Sequence, residues 1–320
     1  MALVSLEELR AAQRRIAGVA VRTPLMPCPW AEDGNRRLWL KPENLQPTGA
    51  FKIRGAYNRL AALTEAERAR GVVAQSSGNH AQAIAYAAQL LGIKAVIVMP
   101  DTSPAVKVEN TRAFGAEVIL VAPADRDTVP AELTERHGYV WVPPYDDPYI
   151  IAGQGTVGLE IGEDAPDELD TVLVPVSGGG LIGGTAAAIK LTTPGVRVIG
   201  VEPELAADAT ESFRTGERVV WPVADTYRTL ADGLRTPSLG ELNFEHLQAY
   251  VDDMVTVTEK EIRDAVAVLA RRGRLVAEPS GAVTTAAYLY RGAELGGRVF
   301  AAVVSGGNVE PTVLSELLAA

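Results

Sequence analysis

Between residues 71 and 147 the chain alternates short apolar runs with helical stretches, and this constrains the fold more than any other feature. Apolar runs at 72–75, 95–99, 117–121 and 139–142 are separated by helical patterns near 79–91, 104–114 and 127–137. Gly92, Gly115 and Gly138 stand just beyond those helices, where a left-handed terminal residue costs least as glycine. A β-α-β-α series of this kind builds a mostly parallel sheet covered by helices.

A second alternation follows. Strands are expected at 171–176, 197–202 and 299–304, with helices near 148–163, 181–191, 259–272 and 281–291. The stretch 204–250 is the least regular and carries Gly233, Gly240, Pro222 and Pro237. At the start, Ser5 and Glu8 have capping-box spacing. Leu9, Ala12, Ile16 and Val19 then recur at helical spacing, and Thr23–Pro24 is expected to end that helix. A chain of 320 residues exceeds most single cores, so two α/β lobes are predicted.

Bulk properties narrow the function classes. A net charge of −10 argues against a nucleic-acid surface. The lone cysteine, Cys28, cannot form an internal disulfide; it fits a reducing compartment and reads as a small buried apolar residue. The N-terminus soon becomes charged, with Glu7, Glu8, Arg10, Arg14 and Arg15, which is unlike a secretory signal. No apolar run approaches the roughly 20 residues needed to span a bilayer. A soluble cytoplasmic protein, with neither membrane nor nucleic-acid partners, is expected.

Four segments could carry chemistry. Val174–Gly184 reads V-P-V-S-G-G-G-L-I-G-G after a strand and at the start of a helix. Its glycines and helix amides could cradle a phosphate, or it could be a ligand-free strand-to-helix turn. It lacks the nucleotide P-loop pattern. In Lys41–Ala56, Lys52 lies between Phe51 and Ile53. Desolvation there would lower an amine's pKa, as carbonyl chemistry requires; a solvated surface lysine is the plain alternative. Gln75–Gln82, Q-S-S-G-N-H-A-Q, ends a strand and opens a helix. It suits either a bound carboxylate or ordinary helix capping. Val303–Asn308, V-V-S-G-G-N, again lies at a strand end.

These four segments, in this order, resemble the fold-type II pyridoxal-phosphate family of serine/threonine dehydratases and serine racemases. The resemblance runs from Thr23–Pro24–Leu25 to Asn308. It implies a two-lobed, tryptophan-synthase-β-like fold, each lobe a mostly parallel sheet flanked by helices. A small substrate-closing domain, 71–147, would be inserted into a large cofactor domain of 1–70 and 148–320. It also implies elimination of water from L-threonine, L-serine or a close relative such as 3-hydroxyaspartate, to a 2-oxo acid and ammonia. Serine racemase with a dehydratase side activity is the alternative. Family members are usually dimers, so a homodimer is expected.

The resemblance assigns roles residue by residue. The lysine at Lys52 joins the cofactor covalently and, once freed by substrate, removes the Cα proton. Phe51 flanks it. The amide at Asn79 contacts the cofactor's ring hydroxyl, Ser177, Gly178, Gly179, Gly180 and Leu181 hold its phosphate, and Ser305 faces its pyridine nitrogen. The substrate carboxylate would rest on Ser76, Asn79 and His80. Ser77 would be the second proton-transfer group that racemisation needs, although many dehydratases carry serine here too. Arg126 falls near a substrate-binding arginine of some racemases, and Ser238 near a side-chain-selecting serine. Glu202, Asp208 and the carbonyl of Ala206 map onto a divalent-cation site, with oxygen ligands suited to Mg²⁺ or Ca²⁺. Glu278–Gly281 is a family feature with no role derivable from sequence. With twelve residues after Asn308, an isoleucine-sensing regulatory domain is not expected.

Overall fold

The computed structural model describes residues 3–76, 78–103, 105–126 and 128–319, so Ser77 lies outside the described residues. In chain order the strands are β1 Met26–Pro27, β2 Arg37–Pro42, β3 Val72–Gln75, β4 Ala95–Pro100, β5 Glu117–Val121, β6 Val140–Trp141, β7 Thr171–Pro175, β8 Arg197–Pro203, β9 Asp253–Val257 and β10 Val299–Val304. They form two sheets. One has the order β5-β4-β3-β6 and draws every strand from the first alternation. The other has the order β1-β2-β10-β7-β8-β9 and combines both ends of the chain. Among the described residues β1 and β2 are the one antiparallel pair of strands; the other strand pairings are parallel.

The architecture is α/β, with two mostly parallel sheets flanked by helices, as expected. Strands β7 and β10 are buried at every position. Continuous burial is what helices on both faces require, and it explains unbroken runs such as Val299-Phe300-Ala301-Ala302-Val303-Val304. Each sheet supports its own core: Ile84, Ile97 and Met99 lie within that of the four-stranded sheet, and Phe300, Leu40 and Tyr288 within one core of the six-stranded sheet. Cys28 is buried in that second core, and burial pushes its thiol up to about 12.

The first helix has its capping box, with Ser5 accepting from the Glu8 backbone and Glu8 bonding back. It ends at Ile16, however, not at Thr23–Pro24. Gly18 takes a left-handed φ of +82°, and the Val19 and Ala20 amides both turn back to the Ile16 carbonyl. Val19 therefore packs against the core of the four-stranded sheet instead of extending the helix. Helix Lys52–Ala61, which periodicity did not reveal, lies against helix Pro148–Asp164 at a very short approach. A Cβ on Gly153 would come within 2.6 Å of the Gly55 Cα, so only glycines allow the contact.

Candidate active site

Lys52 is the first residue of helix Lys52–Ala61. The turn before it is tied to the end of β10: the Phe51 amide donates to the Ser305 carbonyl at 3.0 Å, and Ala50 bridges Gly306. The Lys52 Nζ donates to the Pro144 carbonyl at 2.6 Å and lies 5.3 Å from the centre of the Phe51 ring. Burial lowers its pKa to about 8, because the charged amine loses water and gains no carboxylate partner.

Below the lysine, the helix is anchored by buried charge. Arg54 is fully buried and bonds Glu43 through Nε at 2.6 Å and Nη2 at 2.8 Å. It bonds Glu160 through Nη1 at 2.7 Å and Nη2 at 2.8 Å. Lys41, at the end of β2, reaches Glu160 at 2.6 Å. Two cations and two carboxylates balance, and the Arg54 fork meets both acids in the geometry that makes such pairs strong.

The glycine loop joins β7 to helix Gly180–Thr192. Gly179 has φ +92°. A Cβ at Gly178 would sit 2.4 Å from the Tyr145 ring, and one at Gly179 would sit 2.8 Å from Asn243 and Leu239. The Gly178 carbonyl accepts from Asn243 Nδ2 at 2.7 Å, and Ser177 Oγ accepts from the Thr236 amide at 3.3 Å. The loop is thus walled from behind, and the first turn of a 13-residue helix begins at its tip. Such a turn has amide hydrogens with no intrahelical partner and partial positive charge, which suits a phosphate. Leu181 is buried just beyond the loop.

Ser305, 4% exposed, ends up beside the Lys52 turn, with its Oγ 3.5 Å from the Ser280 carbonyl. Asn79 opens helix Asn79–Leu91 and bonds Glu278 at 2.7 Å and Asn308 at 2.7 Å. Ser76 Oγ accepts from the Gly78 amide at 3.1 Å. The buried His80 ring lies against the Val142 carbonyl at 3.2 Å, which requires Nε2 to carry the hydrogen. Burial, with Lys52 nearby, lowers its pKa to about 3, so the ring is a neutral wall and offers a carboxylate no positive charge.

Two of the expected residues meet partners not yet named. Arg126 Nη1 reaches the Tyr227 hydroxyl at 3.2 Å in an exposed setting. Ser238 lies 3.5 Å from Arg218. Sequence reasoning also passed over residues that shape the site: Pro144, Tyr145 and Asn243. Only the Pro143–Pro144 pair carried a local signal, that of an extended segment.

Glu202 and Asp208 are fully buried. Glu202 accepts from the amides of Ala209 at 3.2 Å and Thr210 at 2.7 Å and from the Thr210 hydroxyl at 2.7 Å. Neither Asp208 carboxyl oxygen has a hydrogen-bond partner from another residue. Two buried acids, one of them with both oxygens orphaned, are costly without a compensating positive charge, so this oxygen donor set fits a hard divalent cation. Ala206 is buried alongside.

A family profile described as pyridoxal-phosphate dependent enzyme matches residues 16–306. The chain belongs to that family. Among its relatives, the L-threonine ammonia-lyase of Thermotoga maritima is 46% identical over 99% of this chain and 78% of its own length. The serine racemase of Schizosaccharomyces pombe is 39% identical over 97% of this chain and 96% of its own. The crystal structure of a threonine deaminase from T.th. superposes with a TM-score of 0.90 at 45% identity, covering 96% of this chain and 99% of that one. The fold is therefore the fold-type II arrangement of these pyridoxal-phosphate enzymes, and the lysine and the glycine loop fit the cofactor.

Proposed function

We propose that the chain is an ammonia-lyase that converts L-threonine or L-serine to a 2-oxo acid and ammonia. The observation that carries this reading is a desolvated Lys52 amine, its pKa lowered to about 8, beside a glycine-lined helix start and a buried neutral Ser305. Bound pyridoxal phosphate supplies the electron sink, and this chain's residues do the rest. Ser177 to Leu181 hold the phosphate, Phe51 flanks Lys52, and Asn79 meets the ring oxygen. Ser305 would offer the pyridine nitrogen a hydroxyl, which would retain a proton there less strongly than a carboxylate. Ser76 and the backbone amides at the start of helix Asn79–Leu91 hold the substrate carboxylate. Lys52, neutral in a good fraction of molecules near pH 8, takes the Cα proton.

The segment 71–147 acts as the unit that closes over substrate. Its Lys107 already meets Asp232 of the irregular stretch at 2.9 Å, and Arg126 meets Tyr227 nearby; a direct substrate contact for Arg126 would need that bond to break. Ser238 would select the side chain only by turning from Arg218. Glu202, Asp208 and the Ala206 carbonyl hold Mg²⁺ or Ca²⁺ as a structural ion. The enzyme works as a cytoplasmic homodimer.

Serine racemisation is the second reading, favoured by Ser77 in the sequence, which the resemblance makes a second proton-transfer group. The test is a panel of L-threonine, L-serine and 3-hydroxyaspartate, scored for 2-oxo acid and, with L-serine, for chirality of the recovered amino acid. Release of 2-oxo acid from L-threonine, abolished by Lys52→Ala, is expected. D-serine accumulating faster than pyruvate would instead make the chain a racemase. Undiminished turnover by Lys52→Ala would overturn both.

A further inference from the structure

Three distant segments converge on Asn79. Its Nδ2 donates to Glu278 Oε1 at 2.7 Å, and its Oδ1 accepts from Asn308 Nδ2 at 2.7 Å. The two ends of a side-chain amide are nearly the same shape, so partners decide which is which. Here the decision traces to a group that is never ambiguous. Asn308 Nδ2 also donates to the Thr48 backbone carbonyl at 2.8 Å, and a carbonyl can only accept. Asn308 therefore presents nitrogen, and its second hydrogen must meet the Asn79 oxygen. That leaves the Asn79 nitrogen facing Glu278. One of its two hydrogens is spent there, and the other is available.

We infer that Glu278 and Asn308 are positioning residues that keep the amide nitrogen of Asn79, not its oxygen, turned toward the ring oxygen of the cofactor. The inference rests on the proposed contact between Asn79 and that ring oxygen. A donor there favours the ionised oxygen, whereas a flipped amide would set lone pair against lone pair. The same clamp joins the parts of the site. Thr48 lies four residues before Lys52, and Asn308 lies three after Ser305. Asn79 starts a helix of the four-stranded sheet's layer, while Glu278 immediately precedes helix Pro279–Tyr290.

Glu278 is 4% exposed. Burial and then Asp232 push its carboxyl up to about 8, against the pull of Asn79, Lys107 and the Asn308 amide. In neutral solution it is an uncharged acceptor and adds no second negative charge near the ring oxygen.

The test measures the affinity of the full-length chain for pyridoxal phosphate, from the absorbance of the bound cofactor, with Asn79 intact and in an Asn79→Ala background. Glu278→Ala and the isosteric Asn308→Asp are each expected to weaken binding by about tenfold with Asn79 present and by less than about twofold without it. Glu278→Gln, whose oxygen still accepts from Asn79, should stay within about threefold of the parent. Equal losses in both backgrounds, or no loss with Asn79 present, would overturn the inference. If Asn79→Ala alone leaves affinity unchanged, the contact between Asn79 and the cofactor is itself wrong, and the inference falls with it. Asn308→Asp keeps shape and volume, so the test does not hang on Glu278→Ala folding.

Discussion

A lysine amine in water keeps its proton until pH 10.5, but Lys52 gives it up near 8 because burial penalises the charge. The sign follows directly. The neutral amine is the form that captures an aldehyde, so the lowered pKa brings the reactive fraction into the neutral range. Capture of pyridoxal phosphate by the cofactor-free chain should accelerate about tenfold per pH unit below 8 and level off above it. A stopped-flow rate that keeps climbing to pH 10 would show a solvated lysine instead. Part of this was legible in the sequence, since Phe51 and Ile53 flank the lysine. The acceptor of its hydrogen bond was not: Pro144 is 92 residues away, and no local pattern joins them. His80 shows the same limit from the other side. Its position beside Asn79 suited carboxylate binding, but burial against the Val142 carbonyl neutralises a ring that its neighbours in sequence left free to be charged.

At the scale of elements, the alternating strands and helices were legible because parallel strands buried on both faces become plain apolar runs. Strand β2 and helix Lys52–Ala61 were not, and charge is the reason. Lys41 and Arg54 look like surface residues in a linear reading, yet both are fully buried. Their partners Glu43 and Glu160 come from a short turn and from helix Pro148–Asp164. Arg54→Met should show how much the helix that carries Lys52 depends on this network. It strands two buried carboxylates with only Lys41 to balance them, and should cost about 3–5 kcal/mol of stability in a denaturant titration. Arg54→Lys should rescue little, because an ammonium cannot reproduce the planar fork. A loss below about 1 kcal/mol would mean that water reaches the cluster.

For the whole molecule, family and reaction class were legible because four short motifs keep their order over nearly the full chain. The proposed cation would act on the whole fold, joining the end of β8 to the helix Asp208–Thr215 that follows. Its removal by chelation should lower the Tm by roughly 3–6 °C. Mg²⁺ or Ca²⁺ should restore it and Na⁺ should not, and a scan unchanged by chelator would leave Glu202 and Asp208 without their counter-charge. Strand order has a further consequence, for the order in which the protein can be made. Strand β2 hydrogen-bonds along its length to β10, which begins at Val299. The strands of the four-stranded sheet, by contrast, are all complete by Trp141. On the ribosome the four-stranded sheet can pair while synthesis continues, but Arg37–Pro42 must wait for almost the entire nascent chain. Until then an apolar strand edge stays open to wrong partners, and the lysine eleven residues beyond Lys41 has no finished pocket to enter.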